Sequence, residues 1–467
     1  MTWGSTVLPP RRPQPKASLS GKPARRLGTP EGLAARRLAV NLVAGVLGQK
    51  RTLEQVLADL SRQPDLSLLH PRDRALARMV AATVLRRHGE LEHVLNAFIE
   101  RPLPPDKGQL WPILLCAAAQ LLCLELPAHA VVDLSVELVR RDRGAHRFAK
   151  LSNAVLRRVS ERGAALIAAQ DAVRLNIPAW LWQRWTEAYG VATARRIAEA
   201  SLKEAALDLS LKPTEDANAW AERLGGFVLP TGGIRLKSHG RIEDLSGYGE
   251  GAWWVQDAAA ALVGRLAGDV AGRIVADLCA APGGKTAALA ARGAAVTAVD
   301  ISPARLQRTK ANLDRLRLTA SLVAADVATW APGTSFDVVI LDAPCTATGT
   351  IRRHPDILRL KAAEDVGHMA ELQGRLLANA ASLVKPNGLL LYSTCSLEPE
   401  EGTQQIAAFL AAHGGFRRVP VLAEEVGGDA AAITPAGELR TLPCHELPGS
   451  LAGGMDGFYV ARLRRHL

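Results

Sequence analysis

Ile274-Val275-Ala276-Asp277-Leu278-Cys279-Ala280-Ala281-Pro282-Gly283-Gly284-Lys285-Thr286 is the stretch that decides the fold. Its first five residues form a short apolar run that reads as a strand buried on both faces. The run passes directly into a turn whose glycines reach backbone angles closed to other residues and let a ligand approach the main chain. Thr286 opens a helical segment, and the free N–H groups at a helix start favour an anion. Two rival readings of such a turn fail. A phosphate-binding loop, G-x-x-x-x-G-K-[ST], needs glycine where Cys279 stands, and Pro282 lacks an N–H that phosphate cradling uses. The dinucleotide pattern G-x-G-x-x-G is absent from the turn as well.

Outward from this turn the chain alternates strand and helix. Apolar runs at 274–278, 296–299, 321–324, 338–341 and 389–392, most of them followed by a helical pattern, predict an α/β domain over 251–467 with a doubly wound, mostly parallel sheet. Ligands on such sheets bind at the carboxyl ends of the strands. Asp300 closes the second strand, where an acid accepts hydrogen bonds from ribose hydroxyls. Asp326 lies just past the third, within reach of an adenine amino group. Either acid alone would serve equally well as a helix N-cap, since Asp300 precedes Ser302-Pro303. In order, and after a glycine turn, they favour an adenosyl ligand, S-adenosylmethionine, with its carboxylate at the turn.

The fourth strand ends in Asp342-Ala343-Pro344-Cys345 and the fifth in Ser393-Thr394-Cys395-Ser396. These strands should be neighbours, so both thiols and Asp342 should meet beside the cofactor. A lone cysteine at a strand end is better read as core; two on adjacent strands, one after Asp-Ala-Pro, reverse that judgement. The set suits one chemistry. C5 of cytosine is a poor nucleophile until a thiolate adds to C6, and a proton or hydrogen bond at N3 favours the addition. A reactive thiol needs partial exposure and a nearby cation; Lys285 is the nearest by motif. Of the 6 cysteines, Cys116 and Cys123 fall in an Ala/Leu-rich stretch and read as core. None forms a C-x-x-C pair, so no metal site is expected.

The chain has 467 residues, too many for one core. Residues 1–30 hold Pro, Gly, Ser and Arg but no acid, and are expected to be a disordered basic tail. Residues 31–163 carry Leu, Val and Ala at helical spacing, broken near Pro71, Pro102 and Pro127, and predict an all-helical domain. Residues 164–250 are mixed: a Trp-rich helix, two short alternating runs and a helix around Trp220 suggest a small α/β connector. There Lys203, Lys212, Arg235, Lys237 and Arg241 could line an RNA path or be solvated surface. Lys plus Arg number 57 against 46 Asp plus Glu, a balance of +11 that suits a polyanionic partner or an Arg-rich lineage equally. No apolar run reaches the roughly 18 residues of a membrane span, and prolines interrupt any secretory signal, so a cytoplasmic protein is expected.

Residues 277–286, 342–345, 349–356, 393–396 and 456–461 together resemble the ordered motifs of the RNA cytosine-5 methyltransferase (Sun) family. Asn153-Ala154-Val155-Leu156-Arg157-Arg158 resembles the last helix of the NusB-like RNA-binding domain, though a plain helical bundle for protein contacts remains an alternative. The resemblance implies a class I, Rossmann-like methyltransferase domain behind a NusB-like domain. It implies that Cys279, Ala280, Ala281, Pro282, Gly283, Gly284, Lys285, Asp300, Asp326 and Asp342 bind S-adenosylmethionine, Asp342 also facing the cytosine. Cys395 would be the nucleophile and Cys345 would assist product release; spacing alone does not choose between the two. Arg352 and Arg353 would contact RNA phosphates or position the substrate loop, and Arg157 would contact RNA. The expected partner is small-subunit ribosomal RNA, met by a monomer without metal. Two alternatives stay open: another RNA such as transfer RNA, and an inert assembly factor. Leu211-Lys212-Pro213 and the four alanines after Gln256-Asp257 depart from the family pattern and leave RNA docking open.

Overall fold

The computed structural model describes residues 32–60, 62, 69–104, 106–237, 240–446 and 453–466; the expected basic tail lies outside them. Helices Leu33–Gln49, Leu53–Leu60, Pro71–Arg86, His88–Phe98, Leu110–Leu122, Ala128–Arg141 and Ala149–Ala168 pack around Leu42, Val80, Leu95, Leu114, Val139 and Leu156. Their starts follow from local chemistry. Pro71 occupies the first turn of its helix, where a missing N–H is harmless, and the His70 ring accepts from Arg72 N at 3.2 Å.

The helical part runs further than the sequence predicts. Beyond Ala164 come helices Ala172–Asn176, Ala179–Tyr189 and Val191–Ser201. Leu181, Trp185 and Ile197 bury against Ile351, Leu358 and Leu397, so this segment is a bracket between the bundle and the C-terminal domain. The small sheet follows: β1 (Asp208–Leu211), β2 (Gly226–Val228), β3 (Ile234–Leu236) and β4 (Trp253–Val255), antiparallel in the order β2-β3-β1-β4. Its last strand lies past Glu250, inside the span assigned to the next domain. Arg235 does not line an RNA path. It is 2% exposed and forms a two-pronged pair with Asp208 at 2.7 and 2.8 Å.

The C-terminal sheet contains β5 (Ile274–Leu278), β6 (Ala295–Asp300), β7 (Ser321–Ala324), β8 (Phe336–Asp342), β9 (Val384–Thr394), β10 (Phe416–Arg418), β11 (Leu439–Thr441) and β12 (Phe458–Arg465). The order is β10-β12-β9-β8-β5-β6-β7, with β11 paired to β12 off this path. β5 to β9 run parallel, and β12 lies antiparallel against β9. Every strand expected from the sequence falls within one of the first five; β10, β11 and β12 are additions. Alternate residues feed the two faces. Val338, Ile340 and Leu391 pack under helix Ala258–Leu266, while Val339, Leu341 and Leu390 pack against Leu377, Ile406 and Phe409 of two helices on the other side. The sheet is thus doubly wound. The chain leaves β5 for β6 on one side and returns to β8 on the other, which opens a crevice at the carboxyl ends of β5 and β8. No helix among the described residues is long and apolar enough to cross a membrane.

Candidate active site

The glycine turn leaves β5 at Leu278. Cys279 takes a left-handed φ of 60°, and Gly283 one of 97°, where a Cβ would stand 2.7 Å from the Thr309 methyl. Thr286, in the first turn of helix Gly284–Ala290, donates to Asp277 Oδ2 at 2.6 Å. The other oxygen of Asp277 is buried without a hydrogen-bond partner, and burial pushes this carboxyl up to about 6. Asp300, at the end of β6, accepts Ala281 N–H at 3.2 Å and Ser302 N–H at 3.0 Å, and Arg305 reaches it at 3.4 Å. It is not the helix N-cap; Ser302 is. Asp326 is exposed and accepts Ala328 N–H at 2.9 Å.

S-adenosylmethionine offers hydroxyl, amino and ammonium donors. The edge formed by β5, β6, β7 and β8 gathers the carboxylates of Asp300, Asp326 and Asp342 beside a main-chain turn that holds its glycine close to the neighbouring helix. A buried acid oxygen without a donor lies at its root. These residues fit that cofactor.

The thiols sit on the next pair of strands. β8 and β9 are parallel, with Asp342 in register with Ser393. Ser393 donates to Asp342 Oδ1 at 2.9 Å and Lys285 to Asp342 Oδ2 at 2.7 Å. Just past the strand ends, the sulfurs of Cys345 and Cys395 are 3.4 Å apart, both half-buried. The hydrogen bond with Cys395, then burial, then the negative charges of Cys395 and Glu401 hold the Cys345 thiol well above its usual range. Cys279 is pushed up to about 12, chiefly by burial, so it is a turn residue with an inert thiol. Burial also pushes up Cys116 and Cys123. Among the described residues no group of His, Cys, Asp and Glu is placed to hold a metal ion.

The arginines correct the sequence reading. Arg352 is 2% exposed and cannot reach a phosphate. It donates to Asp257 at 2.6 Å, to Asp456 at 3.0 Å and to the Gly453 carbonyl. Of its two expected roles, positioning the loop is the one this geometry allows. Arg353 shares Asp456 at 2.7 Å while keeping part of its surface open. Burial works against its charge, but Asp456, Asp257 and the Cys395 sulfur outweigh it and hold the guanidinium above its usual range. Lys285, the cation expected beside the thiols, is committed to Asp342. Gly349 donates to the Cys395 carbonyl at 2.9 Å, and a Cβ there would collide with the Gly457 carbonyl. The helical bundle braces the same loop: Arg86 donates to the Arg352 carbonyl at 3.0 Å and Leu53 N–H to Asp356 at 2.9 Å. Arg157 is exposed on helix Ala149–Ala168 and is not among the residues gathered here.

Replacing Arg352 with methionine leaves two buried carboxylates without their shared cation. The expected loss is about 3–5 kcal/mol of stability, read from urea unfolding; a loss under about 1 kcal/mol would contradict the pairing. Three buried acids, Asp257, Glu398 and Glu401, escaped the sequence reading. Asp257 caps helix Ala258–Leu266, and Glu398 takes Arg184 at 2.5 Å. The available signal for the two glutamates was the cluster Glu398, Glu400 and Glu401 a few residues after Cys395.

The family described as 16S rRNA methyltransferase RsmB/F matches residues 268–464, and the NusB family matches residues 33–161. Ribosomal RNA small subunit methyltransferase B of Vibrio cholerae serotype O1 is 37% identical over 417 residues, covering 85% of this chain and 91% of its own. The protein of that name from Xanthomonas campestris pv. campestris is 36% identical over 92% of this chain and 97% of its own. The crystal structure of PH0851 aligns with a TM-score of 0.73 at 22% identity, over 93% of this chain and 99% of that one. A methyltransferase homologue from Pyrococcus horikoshii aligns with a TM-score of 0.50 at 28% identity, over 61% and 93%.

Proposed function

Since the chain belongs to the RsmB/F family of 16S rRNA methyltransferases, we propose that it methylates C5 of a cytosine in small-subunit ribosomal RNA through a covalent Cys395 adduct. It is an S-adenosylmethionine-dependent methyltransferase with a NusB-like domain in front. The observation that carries the finer reading is the pair of sulfurs 3.4 Å apart beside Asp342. A structural core has no need of two half-exposed thiols at the mouth of a cofactor crevice.

Residues 279–285, Asp300, Asp326 and Asp342 would hold the cofactor, which when bound supplies an electrophilic methyl group. The Cys395 thiolate adds to C6 of the cytosine, forming an S–C6 bond and moving the C5–C6 electron pair into an enamine whose C5 accepts the methyl. Asp342, fixed by Lys285 and Ser393, faces the ring edge and favours addition through N3. The C5 proton then leaves to a base, the S–C6 bond breaks, and its electron pair returns to Cys395. Cys345 serves this release. Once Cys395 is bonded to carbon, it no longer offers the hydrogen bond and charge that hold the Cys345 proton in place. The Cys345 thiol then loses its proton to water more readily, and the thiolate so formed takes the proton from C5. Arg157 and the exposed edge of Arg353 meet RNA, and the enzyme works as a cytoplasmic monomer without metal.

The test compares purified small-subunit ribosomal RNA with transfer RNA as methyl acceptors. Ribosomal RNA should be the better substrate, with one new bisulfite-resistant cytosine. Preference for transfer RNA would move the substrate assignment. Failure to bind S-adenosylmethionine in calorimetry would leave an assembly factor.

A further inference from the structure

We propose that Glu401 is a positioning residue whose buried carboxylate clamps the two cysteine loops together and so sets the distance between the thiols. The inference rests on the reading of Cys395 and Cys345 as nucleophile and releasing group.

The parallel ladder stops before the cysteines. β8 and β9 pair as far as Asp342 and Ser393, and one more bond follows, Ala343 N–H to the Ser393 carbonyl at 2.8 Å. Past that point the ladder does not continue, and the loops meet through the Thr346 and Ser396 hydroxyls at 3.1 Å, Gly349 N–H to the Cys395 carbonyl at 2.9 Å and Leu397 N–H to the Thr348 hydroxyl at 2.9 Å. Glu401 closes the gap from a short 3-10 turn, Pro399–Glu401. Its side chain is fully buried, as are Thr346, which follows Cys345, and Ser396, which follows Cys395. Oε2 accepts the Thr346 N–H at 2.9 Å and Gln373 Nε2 at 2.9 Å; Oε1 accepts the Ser396 hydroxyl at 2.8 Å and the Thr346 hydroxyl. Gln373 donates from the same nitrogen to the Pro344 carbonyl at 2.9 Å. One carboxylate therefore grips the residue beside each thiol, and its four lone-pair directions are used.

A buried carboxylate is a poor space-filler, because without donors it would be strongly destabilising. Here its donors come from both loops that carry reactive sulfur, and from a helix that steadies them. That is the arrangement that holds two reacting groups in fixed geometry, and an error of about 1 Å in such geometry costs about 100-fold in rate.

The discriminating variants are Glu401→Asp and Glu401→Gln in the full chain. Aspartate keeps the charge but lacks the reach to both loops. Glutamine keeps the reach, and the two hydroxyls can rotate to accept from its amide. Three readouts apply: bridging of the two thiols by dibromobimane (with Cys345→Ala as the blank), kcat and KM on ribosomal RNA, and S-adenosylmethionine affinity. For Glu401→Asp, bridging and kcat should fall together by about 10- to 100-fold, with KM and cofactor affinity within about 2-fold. Glu401→Gln should retain both within about 3-fold. If the aspartate variant does not fold, Thr346→Val removes one grip and should lower bridging and kcat by about tenfold. The proposal is overturned if Glu401→Asp or Thr346→Val bridges and turns over like the parent, if glutamine is as damaging as aspartate, or if cofactor affinity falls in step with kcat. Bridging needs no RNA, so loss of bridging in Glu401→Asp alongside an active Cys395→Ala enzyme would leave the clamp standing and remove the nucleophile assignment.

Discussion

Cys395→Ala is expected to abolish methyl transfer to RNA, with kcat reduced on the order of 10⁴-fold or more and S-adenosylmethionine affinity unchanged. The size of the effect follows from what the thiol does. Without an S–C6 bond, C5 has too little electron density to take a methyl group, and no neighbouring side chain can substitute. Cys345 is 3.4 Å away, but burial and the charge of Glu401, both untouched by the substitution, still favour its protonated thiol. Alanine removes only the sulfur from a half-buried position, and residues 279–285 and Asp300 lie on other elements, so cofactor binding should survive. The measurement is single-turnover methyl transfer beside a calorimetric titration of the cofactor. A Cys395→Ala enzyme with turnover near that of the parent would remove the covalent mechanism.

How much of this could be read without coordinates depends on how local each signal is. Strands β5 to β9 were legible because an apolar run between a turn and a helix is a property of a few adjacent residues. The meeting of Asp342, Cys345 and Cys395 was legible too, since each closes a strand and doubly wound order makes those strands neighbours. The antiparallel strands β10 to β12 were not, because they are short or lie beyond the alternating pattern. Which of its two expected roles Arg352 takes was hidden for a different reason. Its surroundings are set by Asp257, 95 residues away, and Asp456, 104 residues away, and nothing adjacent in sequence distinguishes it from the partly open Arg353. Glu401 shows the same limit, because its role depends on Thr346, 55 residues upstream. Helices Ala179–Tyr189 and Val191–Ser201 read as the start of a connector because their apolar faces look alike whichever partner covers them. Their contact with Ile351 and Leu397 belongs to the tertiary structure alone.

The counterpart substitution, Cys345→Ala, should stop the enzyme one step later. Addition and methylation do not require this side chain, so the variant reaches the methylated adduct; what it lacks is the group placed against the S–C6 bond when the C5 proton must leave. The adduct should accumulate to about one equivalent of enzyme, seen as a slower band on a denaturing gel that disappears after ribonuclease. Multiple turnover should fall by about 100-fold or more, while the first methyl transfer stays near the parent rate. Three companion results make the assignment specific. Cys395→Ala should give no band, the double variant should give none, and the parent should show only a trace. If the band forms with Cys395→Ala instead, the two sulfurs exchange roles and Cys345 is the nucleophile. That outcome is physically open on distance alone, because two thiols 3.4 Å apart are nearly equivalent to an incoming base. What separates them is the hold on the Cys345 proton, which the hydrogen bond with its partner, burial and the neighbouring negative charges keep on the sulfur. A thiol held in its protonated form is the poorer nucleophile, so the adduct should form on Cys395 and wait on Cys345.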